Sequence, residues 1–113
     1  MNKKTMMKKA IIWLSYDLGL DGDYNGMYYF LDKYKSKECG DNIGIFSFQF
    51  SKDLPKELMS ELRKYVKLRD FDRIYVVSSN ENKKVTLAAF LSGKRKIAPW
   101  NGYSQPINDI NDL

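Results

Sequence analysis

The chain predicts an α+β fold, a ferredoxin-like βαββαβ sandwich with an appended C-terminal strand, in which two helices lie on one face of an antiparallel sheet. Three observations predict it. Residues 10–17 alternate in the two-residue period of a strand, and residues 43–50 and 73–79 repeat that habit further on. Between them, the stretches opening at Tyr24 and near Pro55 carry apolar residues at helical spacing. The turn residues Gly40, Asp41 and Asn42 fall where a hairpin needs them.

In the first strand, Ala10, Ile12, Leu14 and Tyr16 share one face, and Ile11, Trp13, Ser15 and Asp17 share the other. Both faces are apolar through Leu14, which marks a central strand. Tyr24, Met27, Tyr28, Leu31 and Tyr34 then form one stripe of a helix, with Asp23 placed to cap its first turn. Gly26 inside that helix costs about 1 kcal/mol relative to Ala, and nothing in the sequence explains it. Residues 35–50 read as a hairpin. Its first arm, Lys35 to Cys39, has so little apolar content that strand and loop both remain open; as a loop, the order becomes strand, helix, strand, helix, hairpin.

Pro55 opens the second helix, where Leu54, Leu58, Leu62, Tyr65 and Val66 share a face and Lys64, Lys67 and Arg69 load the C-terminal end, favourably for the helix dipole. Arg73 to Ser79 is a strand, 80–83 a polar turn, and Val85 to Leu91 a strand that pairs antiparallel with its predecessor. Beyond Gly93 the pattern stops, and the last ten residues suit a mobile or docked tail. The chain thus reads as a single domain over 1–113: a basic segment 1–9, a core 10–92 and a C-terminal segment 93–113. The second apolar face of the first strand needs a cover. A homodimer packed sheet to sheet or through the appended strand supplies one, and so does the C-terminal segment folding back with Ile97, Trp100 and Tyr103; the dimer is favoured.

Composition narrows the chemistry. Nineteen Lys and Arg against fourteen Asp and Glu give a net charge of +5, a surplus that attracts polyanions. Histidine is absent, which removes the usual general acid or base near neutral pH and leaves carboxylates, Lys, Tyr, Ser or a hard metal ion to carry any reaction. With one cysteine, Cys39, there is no internal disulfide and too few ligands for structural zinc; a reducing, cytoplasmic setting is expected. No apolar run approaches a membrane span, and Met6 to Leu14 is too short and too soon interrupted for a signal peptide.

Four short stretches carry candidate sites. Tyr16-Asp17, closing the first strand ahead of a loop, an amphipathic helix and a hairpin, resembles the strand end of the Cas2 and VapD group of small ferredoxin-like proteins. In the Cas2 group the aspartate at that place is associated with a divalent metal between two subunits and, in some members, with nuclease activity. The resemblance therefore implies a homodimer with Asp17 as catalytic residue and metal ligand, Mg2+ being the ion such chemistry suits. The other reading of Asp17 has it accept backbone amides in the turn that starts at Leu18-Gly19. Asp21, Asp23, Asn25, Gly26 and Asp32 match the spacing of a calcium loop, although a helix beginning at Tyr24 would instead place the acids at its N-terminus.

Lys94, Arg95 and Lys96 followed by Trp100 and Tyr103 set cations beside flat rings, a combination suited to single-stranded nucleic acid, with solvated decoration as the competing reading. Lys3, Lys4, Lys8 and Lys9 would add charge if the chain start lay nearby. Cys39 sits between Glu38 and Asp41, which oppose a thiolate, and reads as a small buried residue at a strand end. The expectation is a small intracellular homodimer that engages nucleic acid, a metal-dependent nuclease of the Cas2-like type in its enzymatic version. The alternative is a non-catalytic regulatory or protein-interaction module that uses the open sheet face on a protein partner.

Overall fold

The computed structural model describes residues 6–106. Its elements run β1 (Lys8–Asp17), α1 (Tyr24–Lys33), β2 (Lys37–Glu38), β3 (Ile43–Phe50), α2 (Leu54–Tyr65), β4 (Arg73–Ser79) and β5 (Val85–Ser92). The architecture is α+β, two helices with a five-stranded sheet in the order β2-β3-β1-β4-β5, every neighbouring pair antiparallel. β1 is the middle strand, as its two apolar faces require. It pairs with β3 from Lys8↔Phe50 to Ser15↔Ile43 and with β4 from Ile11↔Ser79 to Asp17↔Arg73.

Alternation along the strands sorts residues between two environments. On one face Ala10, Ile12, Leu14 and Tyr16 of β1 join Phe46 and Phe48 of β3 and Ile74 and Val76 of β4, all buried beneath Met27 and Phe30 of α1 and Leu54, Leu58 and Leu62 of α2. Each such Ile, Leu or Phe contributes roughly 1.5–3 kcal/mol by leaving water, so this layer holds the fold together. On α1 the buried stripe is centred on Met27 and Phe30. Tyr28, expected inward, is 54% exposed and instead packs edge-on against Tyr16.

The helix ends explain two residues that the sequence left open. Asp23 caps α1 by accepting the Gly26 amide at 2.9 Å, and its other oxygen accepts the Lys67 amide at 2.8 Å just past α2. A Cβ on Gly26 would collide with the Tyr65 carbonyl oxygen and the Asp23 carboxylate, so glycine is what lets the two helix ends meet. The calcium-loop reading of Asp21, Asp23, Asn25, Gly26 and Asp32 fails on the same geometry: residues 24–33 are helix, and the Asp23 carboxylate is held by amides. Tyr34 on α1 donates to Glu61 on α2 at 2.7 Å, and burial together with that carboxylate keeps the phenol protonated far above its usual range.

The hairpin exists in reduced form. β2 pairs with β3 through Lys37↔Ile45 and Glu38↔Gly44 alone, after Lys35 has taken a left-handed φ of 54° that no strand can contain. Cys39 lies just beyond this short edge strand and is exposed, contrary to the buried position expected of it. Its amide donates to the Ile43 carbonyl, while Glu38, Gly40 and Asp41 around it offer no apolar cover. No helix among the described residues is long and apolar enough to cross a membrane.

Candidate functional site

The sheet face turned away from the helices is built from the other half of each alternation. Ile11, Trp13, Ser15 and Asp17 of β1 lie beside Arg73, Tyr75 and Val77 of β4, and Tyr75 and Val77 pair onward with Phe90 and Ala88 of β5. Register shifts in the β4–β5 ladder, one of them at Ile74/Tyr75, put Phe90 opposite Tyr75. The two rings meet edge to face, centroids 4.8 Å apart and planes at 75°.

Asp17 stands opposite Arg73, which donates to Oδ2 from Nη2 at 2.8 Å and from Nε at 3.3 Å. This hydrogen bond is the chief reason the Asp17 carboxyl lies below the usual carboxylate range; burial opposes it, and the Arg73 charge, the Lys96 charge and the Gly19 amide add to it. The turn reading of Asp17 therefore survives as a minor contact with Gly19. Its main partner is a guanidinium across the ladder, one that only strand register could reveal.

What happens after β5 decides where the basic cluster goes. Ser92 donates to the Asp72 carbonyl at 2.8 Å, and Gly93 then turns with φ +73°. A Cβ there would stand 2.7 Å from both the Asp72 carbonyl oxygen and Arg73 Cγ, so glycine is required by both conformation and space. The turn sends the chain back over the open face. Arg95 comes to rest with its guanidinium 5.5 Å from the Phe90 centroid and 6.0 Å from that of Tyr75. Ser15, Asp17, Arg73, Tyr75, Phe90 and Arg95 line a shallow depression of about 390 Å³, and Lys94, Arg95 and Lys96 border a second beside Arg73 and Phe71.

Of the residues expected at a site, Asp17, Arg95 and Lys96 are thus brought together, with Lys94 on the rim. Trp100 is not part of the group: it is 73% exposed in a run of turns, and Ile97 and Tyr103 are also exposed, so these three do not cover the sheet as one expectation had it. Lys8 and Lys9 begin β1, whereas Asp17 ends it, about 30 Å away along the strand, so they add no charge here. Lys3 and Lys4 lie outside the described residues, as do the last seven of the C-terminal tail. Arg73, Tyr75 and Phe90 carry no local sequence signal beyond that of a strand. The signal that singles them out is shared parity with Asp17 once the pairing is known.

The fit of a divalent cation at Asp17 can be judged from the neighbours. One carboxylate is too few for Mg2+, its Oδ2 already carries a guanidinium, and Lys96 adds a second positive charge. Among the described residues no three His, Cys, Asp or Glu side chains converge as a metal site. The residues of a single chain do not fit the ion. Comparison with protein-family models, curated proteins and solved structures finds no match to this chain.

Proposed function

We propose that the protein, a ferredoxin-like sandwich with an appended strand, binds single-stranded nucleic acid on its open sheet face. The observation that carries the reading is the Tyr75–Phe90 ring pair with Arg95 above it and Lys94, Lys96 and Arg73 around it. Unpaired bases have exposed π-faces that stack on such rings at about 1–3 kcal/mol per base, while phosphates are drawn to the cations; bases in a duplex are already stacked and out of reach. Arg95 then shifts from the rings to a phosphate as a base takes its place. The reading assigns binding without turnover, since the one carboxylate in the depression is engaged by Arg73.

Fluorescence anisotropy of a labelled thymidine nonamer, measured from 20 to 300 mM salt, tests it. Contacts from Lys94, Arg95 and Lys96 give a slope of log K against log salt of about −2, and a duplex of equal length binds more weakly. An absence of binding at the lowest salt overturns the reading. Magnesium-dependent cleavage of the same oligonucleotide would restore the nuclease version, which needs a second copy to bring a second Asp17.

A homodimer packed sheet to sheet has an observation of its own. Trp13 is 37% exposed between its in-register partners Ile45 and Val77, with Ile11 on the same face. Such a dimer would cover Tyr75, so the two uses of the face exclude each other. Light scattering with and without the nonamer separates them: oligonucleotide that splits a dimer marks competition for one surface.

A further inference from the structure

We infer that Asp17 is a base-reading residue that makes the open-face platform prefer guanine, an inference that rests on the single-strand reading above. Three features place it. Asp17 lines the same depression as Tyr75 and Phe90, and its same-face neighbour Ser15 is the direct partner of Tyr75, so the positions of Asp17 and Tyr75 lie one diagonal step, about 7–8 Å, apart across the ladder. The inferred pose turns the hydrogen-bonding edge of a base stacked on that ring toward the end of β1. Both bonds from Arg73 end on Oδ2, so the lone pairs of Oδ1 take no part in the ion pair, and the Asp17 side chain is 51% exposed.

The chemistry of the carboxylate then selects the base. An ionised Asp only accepts, and Oδ1, whose lone pairs lie outside the ion pair, takes two adjacent N–H donors. Guanine offers such a pair on its Watson–Crick edge, N1–H beside the 2-amino group. Cytosine and adenine each set an amino donor beside a ring nitrogen acceptor, and thymine flanks N3–H with two carbonyls, so each brings at least one lone pair against the carboxylate. Arg73 performs the complementary task. By neutralising Asp17 it lets a negative group remain in a surface that must also attract phosphates, and it anchors the carboxylate through Oδ2.

The experiment changes the ligand first. Nonamers of thymidine carrying guanine, inosine, adenine or cytosine at the centre are compared by anisotropy with the all-thymidine strand. The guanine strand binds about tenfold tighter than thymidine, and inosine, which lacks only the 2-amino group, loses most of that gain with the protein unaltered. Asp17→Asn, checked for an unchanged circular dichroism spectrum, brings the guanine strand down to the thymidine value. If all five strands bind the wild type equally and with the expected salt slope, the platform stands and the role of Asp17 is overturned. If none binds, the platform itself is overturned, and the base reading falls with it.

Discussion

The two faces of the sheet are made by the same strands and obey different rules. Under the helices, each position from Ala10 to Tyr16 in steps of two is apolar and buried, and its neighbours on β3 and β4 are Phe46, Phe48, Ile74 and Val76. On the open face the same steps read Ile11, Trp13, Ser15, Asp17, flanked by Arg73, Tyr75 and Phe90, a mixture of rings and ions that no core would assemble. The difference teaches that residues chosen for packing and residues chosen for contact can alternate within one strand. The second set is legible only after the first has fixed the register.

The comparison predicts two contrasting kinds of damage. Leu58→Ala removes a fully buried side chain from the helix layer and costs about 2–5 kcal/mol of stability by urea unfolding, the larger value applying if the cavity does not collapse. A loss below about 1 kcal/mol would mean that the helices do not grip the sheet as described. The double variant Tyr75→Ala, Phe90→Ala empties the open-face platform. It weakens the nonamer by about tenfold or more and shifts the urea midpoint far less than Leu58→Ala does, because both rings are only partly buried. Equal effects on folding and binding would erase the distinction between the faces.

The same distinction explains what the amino-acid sequence disclosed. Periodicity and turn chemistry located β1, both helices and the β4–β5 pair, since each signal is local: Asp23 before Tyr24, Pro55 in a first turn, a polar turn between Ser79 and Val85. β2 was half legible, because two residues of pairing leave no period. Gly26 became intelligible only when Tyr65, thirty-nine positions later, was seen against it. For the site, Asp17, Lys94, Arg95 and Lys96 could be picked out by type, but Arg73, Tyr75 and Phe90 could not, since what distinguishes them is facing Asp17 or one another across a ladder. Trp100 shows the converse: a conspicuous ring beside a basic run that the turn at Gly93 does not carry onto the sheet.

Two carboxylates sharpen the contrast at smaller amplitude. Glu57, in the first turns of α2, accepts the amides of Ser51, Lys52 and Asp53, each at 2.9 Å, and these backbone bonds hold its carboxyl at about 2 against an ordinary 4.5. Asp17 on the open face is lowered chiefly by the Arg73 side chain. Both groups are ionised more readily folded than unfolded, so each stabilises the fold above its ordinary value and loses that contribution as pH falls through its folded value. For Glu57 the window runs from about 4.5 down to about 2. Glu57→Gln therefore lowers the melting temperature at pH 7, and the variant and wild-type curves converge as the pH approaches 2. Salt separates the two sites. Amide bonds to Glu57 are short-range and fixed by the chain, so the effect of Glu57→Gln persists at 1 M NaCl, whereas the exposed pair of Asp17 with Arg73 is screened and Asp17→Asn ceases to matter there. Thermal melts of both variants across pH and salt read this directly. If Glu57→Gln loses its effect in salt as Asp17→Asn does, the N-terminus of α2 is held by long-range charge instead of by its amides.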